Sequence, residues 1–190
     1  MQTNENYFTL IGIDPGSDKL GVSLYKVEFD TFKILESRAF TIIASKMVNE
    51  RSWLAQIHSY RTARIYKLRE CLLEYFNKIQ PSVIACESPF FNPRRPGAFQ
   101  PLVEVLSMIK DAVIEYSVWQ PLFMIDPSSI KNSVHAAGNA DKDKMKESVL
   151  KLTDLAYNGD IELKDLDEHS IDALAVGYCQ IKYLKDNSNQ

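Results

Sequence analysis

The stretch from Tyr7 to Ser23 constrains the fold more than any other part of the chain. Tyr7-Phe8-Thr9-Leu10-Ile11-Gly12-Ile13 is apolar and rich in β-branched and aromatic residues, which reads as a buried strand. Asp14 closes it, and Pro15-Gly16 follows as a turn, because Pro fixes φ and Gly accepts positive φ. A second strand begins near Leu20, so the chain opens on a hairpin with a lone acid at the mouth of a buried strand. An unpaired carboxylate is unfavourable to bury and needs a partner. A metal cation is one such partner; an Asp that satisfies its own turn is the plainer one.

The rest of the chain alternates. Lys33 to Ile43 reads as a third strand that closes an antiparallel meander. Leu54, Ile57, Ile65, Leu68, Leu72 and Phe76 fall near helical spacing, interrupted at Arg61, and predict one long helix or two shorter ones between Glu50 and Phe76. Gln80-Pro81 stops them. Ser82 to Glu87 is a short buried strand that again ends in an acid, followed by a proline-rich loop, Ser88 to Gly97, with Phe90, Phe91, Arg94 and Arg95. A helix over Phe99 to Val118 and a strand over Pro121 to Ile125 follow. Asp126-Pro127-Ser128-Ser129 has the composition of a helix start, leading to a small helix at Ile130 to Val134. A further helix runs from near Asp141 to about Leu155, an irregular acidic stretch covers Tyr157 to Leu166, and the last helix spans Asp167 to Leu184. Residues 1–6 and 185–190 are expected to fray. Three antiparallel strands and then alternating helices and strands imply an α/β layer fold, a mixed sheet with helices on its faces.

A chain of 190 residues, 45% apolar and 25% charged, is sized for one domain with a sizeable core. It has neither an apolar run of ~18 residues nor the residue order of a signal peptide. Cys71, Cys86 and Cys179 are widely spaced in apolar surroundings, which reads as reduced structural thiols in a cytoplasmic protein, or in a host cytoplasm if the chain is phage-encoded. The net charge of -3 argues against indiscriminate nucleic-acid binding, yet the bases are grouped. Arg51, Arg61, Arg64, Lys67 and Arg69 have no acid among them; Arg94 and Arg95 are adjacent; Lys131, Lys142, Lys144 and Lys146 form a third group. Each group alone reads equally as a solvated face. Together, in an acidic chain, they point to a polyanionic partner.

Two strands end in acids, Asp14 and Glu87, and the last helix offers His169 and Asp172 three residues apart on one face. In a sheet-centred fold such strand ends and a helix end can converge. Carboxylates at close quarters then share a proton or are neutralised by divalent cations. Oxygen ligands suit Mg²⁺, and one imidazole tilts the site toward Mn²⁺. Two such ions ~3.5–4 Å apart serve in-line phosphoryl displacement by water. Asp167 and Glu168 read as helix-start acids, Asp18 and Lys19 as a solvated hairpin tip, and His58 and His135 as structural or surface residues.

These motifs resemble the RuvC family of Holliday junction resolvases, within the ribonuclease H-like superfamily. Ile11-Gly12-Ile13-Asp14-Pro15-Gly16 looks like the family's opening motif and Ala85-Cys86-Glu87-Ser88-Pro89-Phe90 like its strand-end Glu with an aromatic three residues on. Ile125 to Lys146 resembles the lysine-bearing segment and His169-Ser170-Ile171-Asp172-Ala173-Leu174-Ala175 the closing motif. The resemblance runs from Tyr7 to Tyr183. It implies a ribonuclease H-like mixed sheet in a single nuclease domain and metal ligands at Asp14, Glu87, His169 and Asp172, holding two Mg²⁺ ions with Mn²⁺ able to substitute. Family members carry Asp or His where this chain has His169. Phe90, with Phe91 beside it, matches the aromatic placed against bases near the crossover. Lys131 and Lys142 match bases on the scissile backbone, Lys142 acting in catalysis; Arg94, Arg95 and Lys144 are expected on other phosphates. The implied protein is a homodimeric crossover junction endodeoxyribonuclease acting on branched DNA, with no membrane partner; no helicase or recombination partner is legible.

The chain departs from the family pattern in its Pro- and Arg-rich loop, Phe91 to Pro96. It also has Leu102 to Asp111 where the family has a Gly-containing segment, and extra length before Pro81. The departures at Phe91 to Pro96 leave open a nuclease for flaps, forks or RNA–DNA hybrids; a non-catalytic junction-binding protein is a second reading, against which the complete ligand set speaks, and a sugar-kinase-like ATPase, whose first hairpin also carries an Asp beside Gly, is a third. The last lacks a second phosphate loop and a second domain.

Overall fold

The computed structural model describes residues 6–89, 97, 99–138 and 140–188. Phe90, Phe91, Arg94 and Arg95 lie outside the described residues. Strands β1 (Tyr7–Asp14), β2 (Lys19–Glu28) and β3 (Ile34–Ile43) form the antiparallel meander. Strands β4 (Val83–Glu87) and β5 (Leu122–Ile125) add parallel to β1, giving one mixed sheet in the order β3-β2-β1-β4-β5.

Alternation along the central strands decides which end and which face carries the acids. In β1, Phe8 and Leu10 join one buried cluster while Ile11 and Ile13 join the other. Successive side chains point to opposite faces, so Gly12 and Asp14 belong to the Phe8–Leu10 face. In β4, Ile84 and Cys86 take the second face and Ala85 the first, which places Glu87 with Ala85. The parallel register sets Gly12 beside Ala85 and Ile13 beside Cys86, so Asp14 and Glu87 emerge together at the sheet end.

Helices α2 (Tyr60–Ile79) and α3 (Phe99–Tyr116) cover the second face through Leu68, Leu72, Phe76, Val105 and Ile109, with short α1 (Trp53–His58) leading into α2. The expected break lies at Ser59 rather than at Arg61. Ser59 has φ 103°, outside the helical region, and its Oγ accepts from Thr62 N at 3.2 Å. The first face is covered by α4 (Pro127–Ser133), α5 (Lys142–Leu150) and α6 (Glu168–Ser188).

Two expected boundaries move. Helix α5 stops at Leu150, not near Leu155, because the next residues bond elsewhere. Asp154 accepts from Tyr178 OH at 3.0 Å, and Leu155 O accepts from Ser37 Oγ at 2.6 Å. The irregular stretch also continues along the open edge of β3, where Asn158 N donates to Ser37 O at 2.9 Å. Residues 185–188, expected to fray, are the last turn of α6.

Close approach of α6 to the sheet fixes the site. A Cβ at Gly12 would stand 2.6 Å from Ala173 O and from Gly177 N, and one at Gly21 would stand 2.0 Å from His169 O. Only glycine lets the helix lie directly on β1 and β2 at these points. Its rotation is set by Ser23 Oγ donating to Ala173 O at 2.7 Å and Tyr25 OH donating to Leu174 O at 2.6 Å.

Candidate active site

The sheet end and the first turns of α6 bring Asp14, Glu87, His169 and Asp172 together. Asp14 is 8% exposed, and its Oδ2 lies 2.8 Å from His169 Nδ1. The hydrogen bond to Asp14 raises the His169 pKa against the opposing effect of burial. Glu87 is pushed up to about 8, first by burial and then by the charges of Asp14 and Asp172; its protonated form also hydrogen-bonds Asp14. Asp172 is pushed up to about 7 by burial and by Asp14, while Lys142 and His169 pull the other way. Left to themselves, these carboxylates hold protons near neutral pH rather than carry their full charge.

Glu87 and Asp172 line a cavity of about 230 Å³ with Lys131, Asp141 and Lys142, over a floor of Ile130 and Met145. A larger cavity of about 510 Å³, around Phe32, Tyr178 and Lys182, touches none of the four acid and imidazole residues. Among the described residues, no group of three or more His, Cys, Asp or Glu side chains is arranged to hold a metal ion. His169 lies on Asp14, and the charge of Asp14 is felt at Glu87. Their chemistry nevertheless fits a hard divalent cation: three carboxylates and one imidazole, with two of the carboxyls driven toward their neutral form by burial and mutual repulsion.

The lysines divide by what they touch. Lys142 is ion-paired with Glu168 and reaches the cavity from the first residue of α5. Lys131 lines the same cavity, its Nζ donating to Gly138 O at 3.2 Å and Ala140 O at 3.0 Å. Lys144 stands outside it, 3.9 Å from Asp141 Oδ2 and largely exposed. Lys146 donates to Leu166 O at 2.7 Å and ties α5 to the start of α6.

The basic group from Arg61 to Arg69 is neutralised by acids, all but one of them far away in the sequence. Arg61 meets Glu104 at 3.0 Å, Arg64 meets Asp18 at 3.1 Å, Lys67 meets Glu70 at 3.0 Å, and Arg69 bridges Asp111 and Glu115. Asp18 is therefore not a solvated hairpin tip. It also accepts from Ser45 N at 2.9 Å, which anchors the turn beside Asp14.

Asp167 behaves as a helix-start acid, accepting from Ser170 N at 2.9 Å and Thr41 Oγ at 2.6 Å. Glu168 is also an acid of the first turn of α6, and in addition it contacts Lys142 and, at 3.4 Å, His169 Nε2. Its position next to His169 was the available signal, masked by the commonplace of an acid in a first helical turn.

No family model matches the chain. The crossover junction endodeoxyribonuclease RuvC of Ruminiclostridium cellulolyticum is 28% identical over 177 residues, covering 90% of this chain and 89% of the relative. That of Dehalococcoides mccartyi is 28% identical over 170 residues, covering 90% and 89%. Among solved structures, T. thermophilus RuvC in complex with Holliday junction substrate superposes with a TM-score of 0.68 at 20% identity, over 95% of this chain and 97% of that one. The yeast mitochondrial Holliday junction resolvase Ydc2 gives 0.59 at 14% identity, over 95% and 83%. The structural likeness establishes the fold, a ribonuclease H-like mixed sheet flanked by helices.

Proposed function

We propose that the chain is a Holliday junction resolvase of the RuvC kind, which resolves four-way DNA junctions by hydrolysing one phosphodiester in each of two opposed strands; its likeness to RuvC relatives over 90% of its length supports this reading. The observation that carries this reading is the convergence of Asp14, Glu87 and Asp172 with His169 at one sheet end, beside a lysine-lined cavity.

Asp14, Glu87, Asp172 and His169 would hold Mg²⁺, two ions per site, with Mn²⁺ able to substitute. Bound there, the ions supply charge stabilisation to the attacking and leaving oxygens of an in-line displacement by water. The chain's own groups prepare the site. His169 Nδ1 orients the Asp14 carboxylate, and the packing of α6 on Gly12 and Gly21 sets the distance between helix and strand acids. Glu87 and Asp172, which hold protons on their carboxyl oxygens near neutral pH, would give them up if the site were loaded. Lys142 and Lys131 place positive charge in the cavity that receives the scissile strand. Phe90, Phe91, Arg94 and Arg95 follow Glu87 closely in the sequence and are proposed to contact the crossover and its phosphates, with Lys144 extending the basic surface. Two symmetric cuts call for a homodimer.

The test is cleavage of labelled four-way junctions, forks, flaps and linear duplex with Mg²⁺, Mn²⁺ or EDTA. Paired, symmetric nicks on the junction that disappear with EDTA are expected. Cutting confined to forks or flaps would move the substrate and keep the site. Binding without cutting of any substrate would overturn the nuclease reading.

A further inference from the structure

Two lysines share the cavity with Glu87 and Asp172, and they are held differently. Lys131 Nζ bonds two backbone carbonyls of the α4–α5 connection. Lys142, 66% exposed in its side chain, is ion-paired with Glu168 Oε2, and that glutamate side chain is 40% exposed. The same carboxylate's Oε1 lies 3.4 Å from His169 Nε2, while Nδ1 of the ring is on Asp14. Glu168 thus spans from the lysine to the imidazole across the rim of the site.

The first turn of α6 favours an acid at Glu168, but it does not require that acid to reach Lys142. Asp167 already serves the first turn of α6 through Ser170 N. An ion pair as exposed as Lys142–Glu168 adds little to stability. What the carboxylate does offer Lys142 is an anionic oxygen at the point where the scissile strand would bring a phosphate oxygen.

We propose that Glu168 is a positioning residue that holds Lys142 in place of a DNA phosphate, to be displaced when the junction binds. This deepens the nuclease reading and rests on it. In the free protein Lys142 is aimed at the cavity but neutralised, so a phosphate engages it only by displacing Glu168. DNA held by its other contacts, with a phosphate at this point, makes that exchange; a weakly held duplex does not.

The test is the Kd of a four-way junction in EDTA, where no cutting occurs, for the unaltered chain, Glu168→Gln, Lys142→Ala and the double variant, each first checked by its thermal midpoint. Glu168→Gln should bind about two- to fivefold tighter, and the gain should vanish in the Lys142→Ala background. With Mg²⁺ present, the gain should show in KM and not in kcat. An unchanged Kd would overturn the proposal. So would equal tightening with and without Lys142, which is the signature of a general loss of negative charge, or a gain confined to kcat. If the unaltered chain binds no junction at all, the nuclease reading fails first, and this inference fails with it.

Discussion

The two faces of the sheet treat charge in opposite ways. Against α2 and α3, Arg61, Arg64 and Arg69 find Glu104, Asp18, Asp111 and Glu115, acids far away in the sequence. Against α6, Asp14 and Glu87 at the strand ends face Asp172 of the helix, with His169 on Asp14, while Lys142 lies on Glu168 and Lys131 on backbone carbonyls. The first arrangement lowers the electrostatic energy of the fold. The second raises it, as the upward shifts of Glu87 and Asp172 record. Such a cluster is useful to a protein when cations from outside complete it. A run of bases in the sequence proves structural here, and three scattered acids prove to be the candidate site.

Substitutions on the two faces should therefore differ in kind. The largest effect is expected from Asp14→Asn, which keeps shape and removes charge: junction cleavage should fall by ~10²–10³-fold or more while junction binding in EDTA persists. Retained cutting in a strand-cleavage assay would remove Asp14 from the site. Next, Gly21→Ala should destabilise the fold by about 1–3 kcal/mol, because the new methyl meets His169 O at 2.0 Å. Urea unfolding measures this, and cleavage should fall with it as α6 shifts from the strand acids.

A smaller effect separates the faces by pH. The pKa values of Glu87 and Asp172, about 8 and about 7 in the fold, stand above their ordinary 4.5 and 3.8, and that of His169 is raised as well. The folded chain therefore binds more protons than the unfolded chain between those limits, and stability falls as pH rises through the window. In EDTA the thermal midpoint should be higher near pH ~6 than near pH ~8.5, and saturating Mn²⁺ should flatten that slope. The smallest effect is expected from Arg69→Ala on the opposite face, under about 1 kcal/mol in urea unfolding with junction affinity unchanged.

Much of this was legible in residues 7–23 and 82–87. The apolar run into Asp14 and the second strand ending in Glu87 are local patterns, and strand alternation then dictates a shared face, although the hairpin bends at Ser17-Asp18 and Gly16 does not take up positive φ. His169 and Asp172 followed from helical spacing. Long-range ion pairing was not legible: nothing near Arg69 announces Asp111 and Glu115, which arrive only when α3 packs on α2. Asp18 hid in the same way, since Ser45 and Arg64 reach it across the fold. The end of α5 was missed because helix propensity continues past Leu150, whereas Tyr178 and Ser37 draw the following residues away.

The most direct test of the central claim, that the α6-side acids form a divalent-cation site, is calorimetric titration of Mn²⁺ into the chain near pH 7 in two buffers of different ionisation enthalpy. Saturable binding should release roughly one proton or more, because Glu87 and Asp172 hold protons there, and Asp14→Asn should abolish it. No saturable binding, or binding that Asp14→Asn leaves unchanged, would contradict the account.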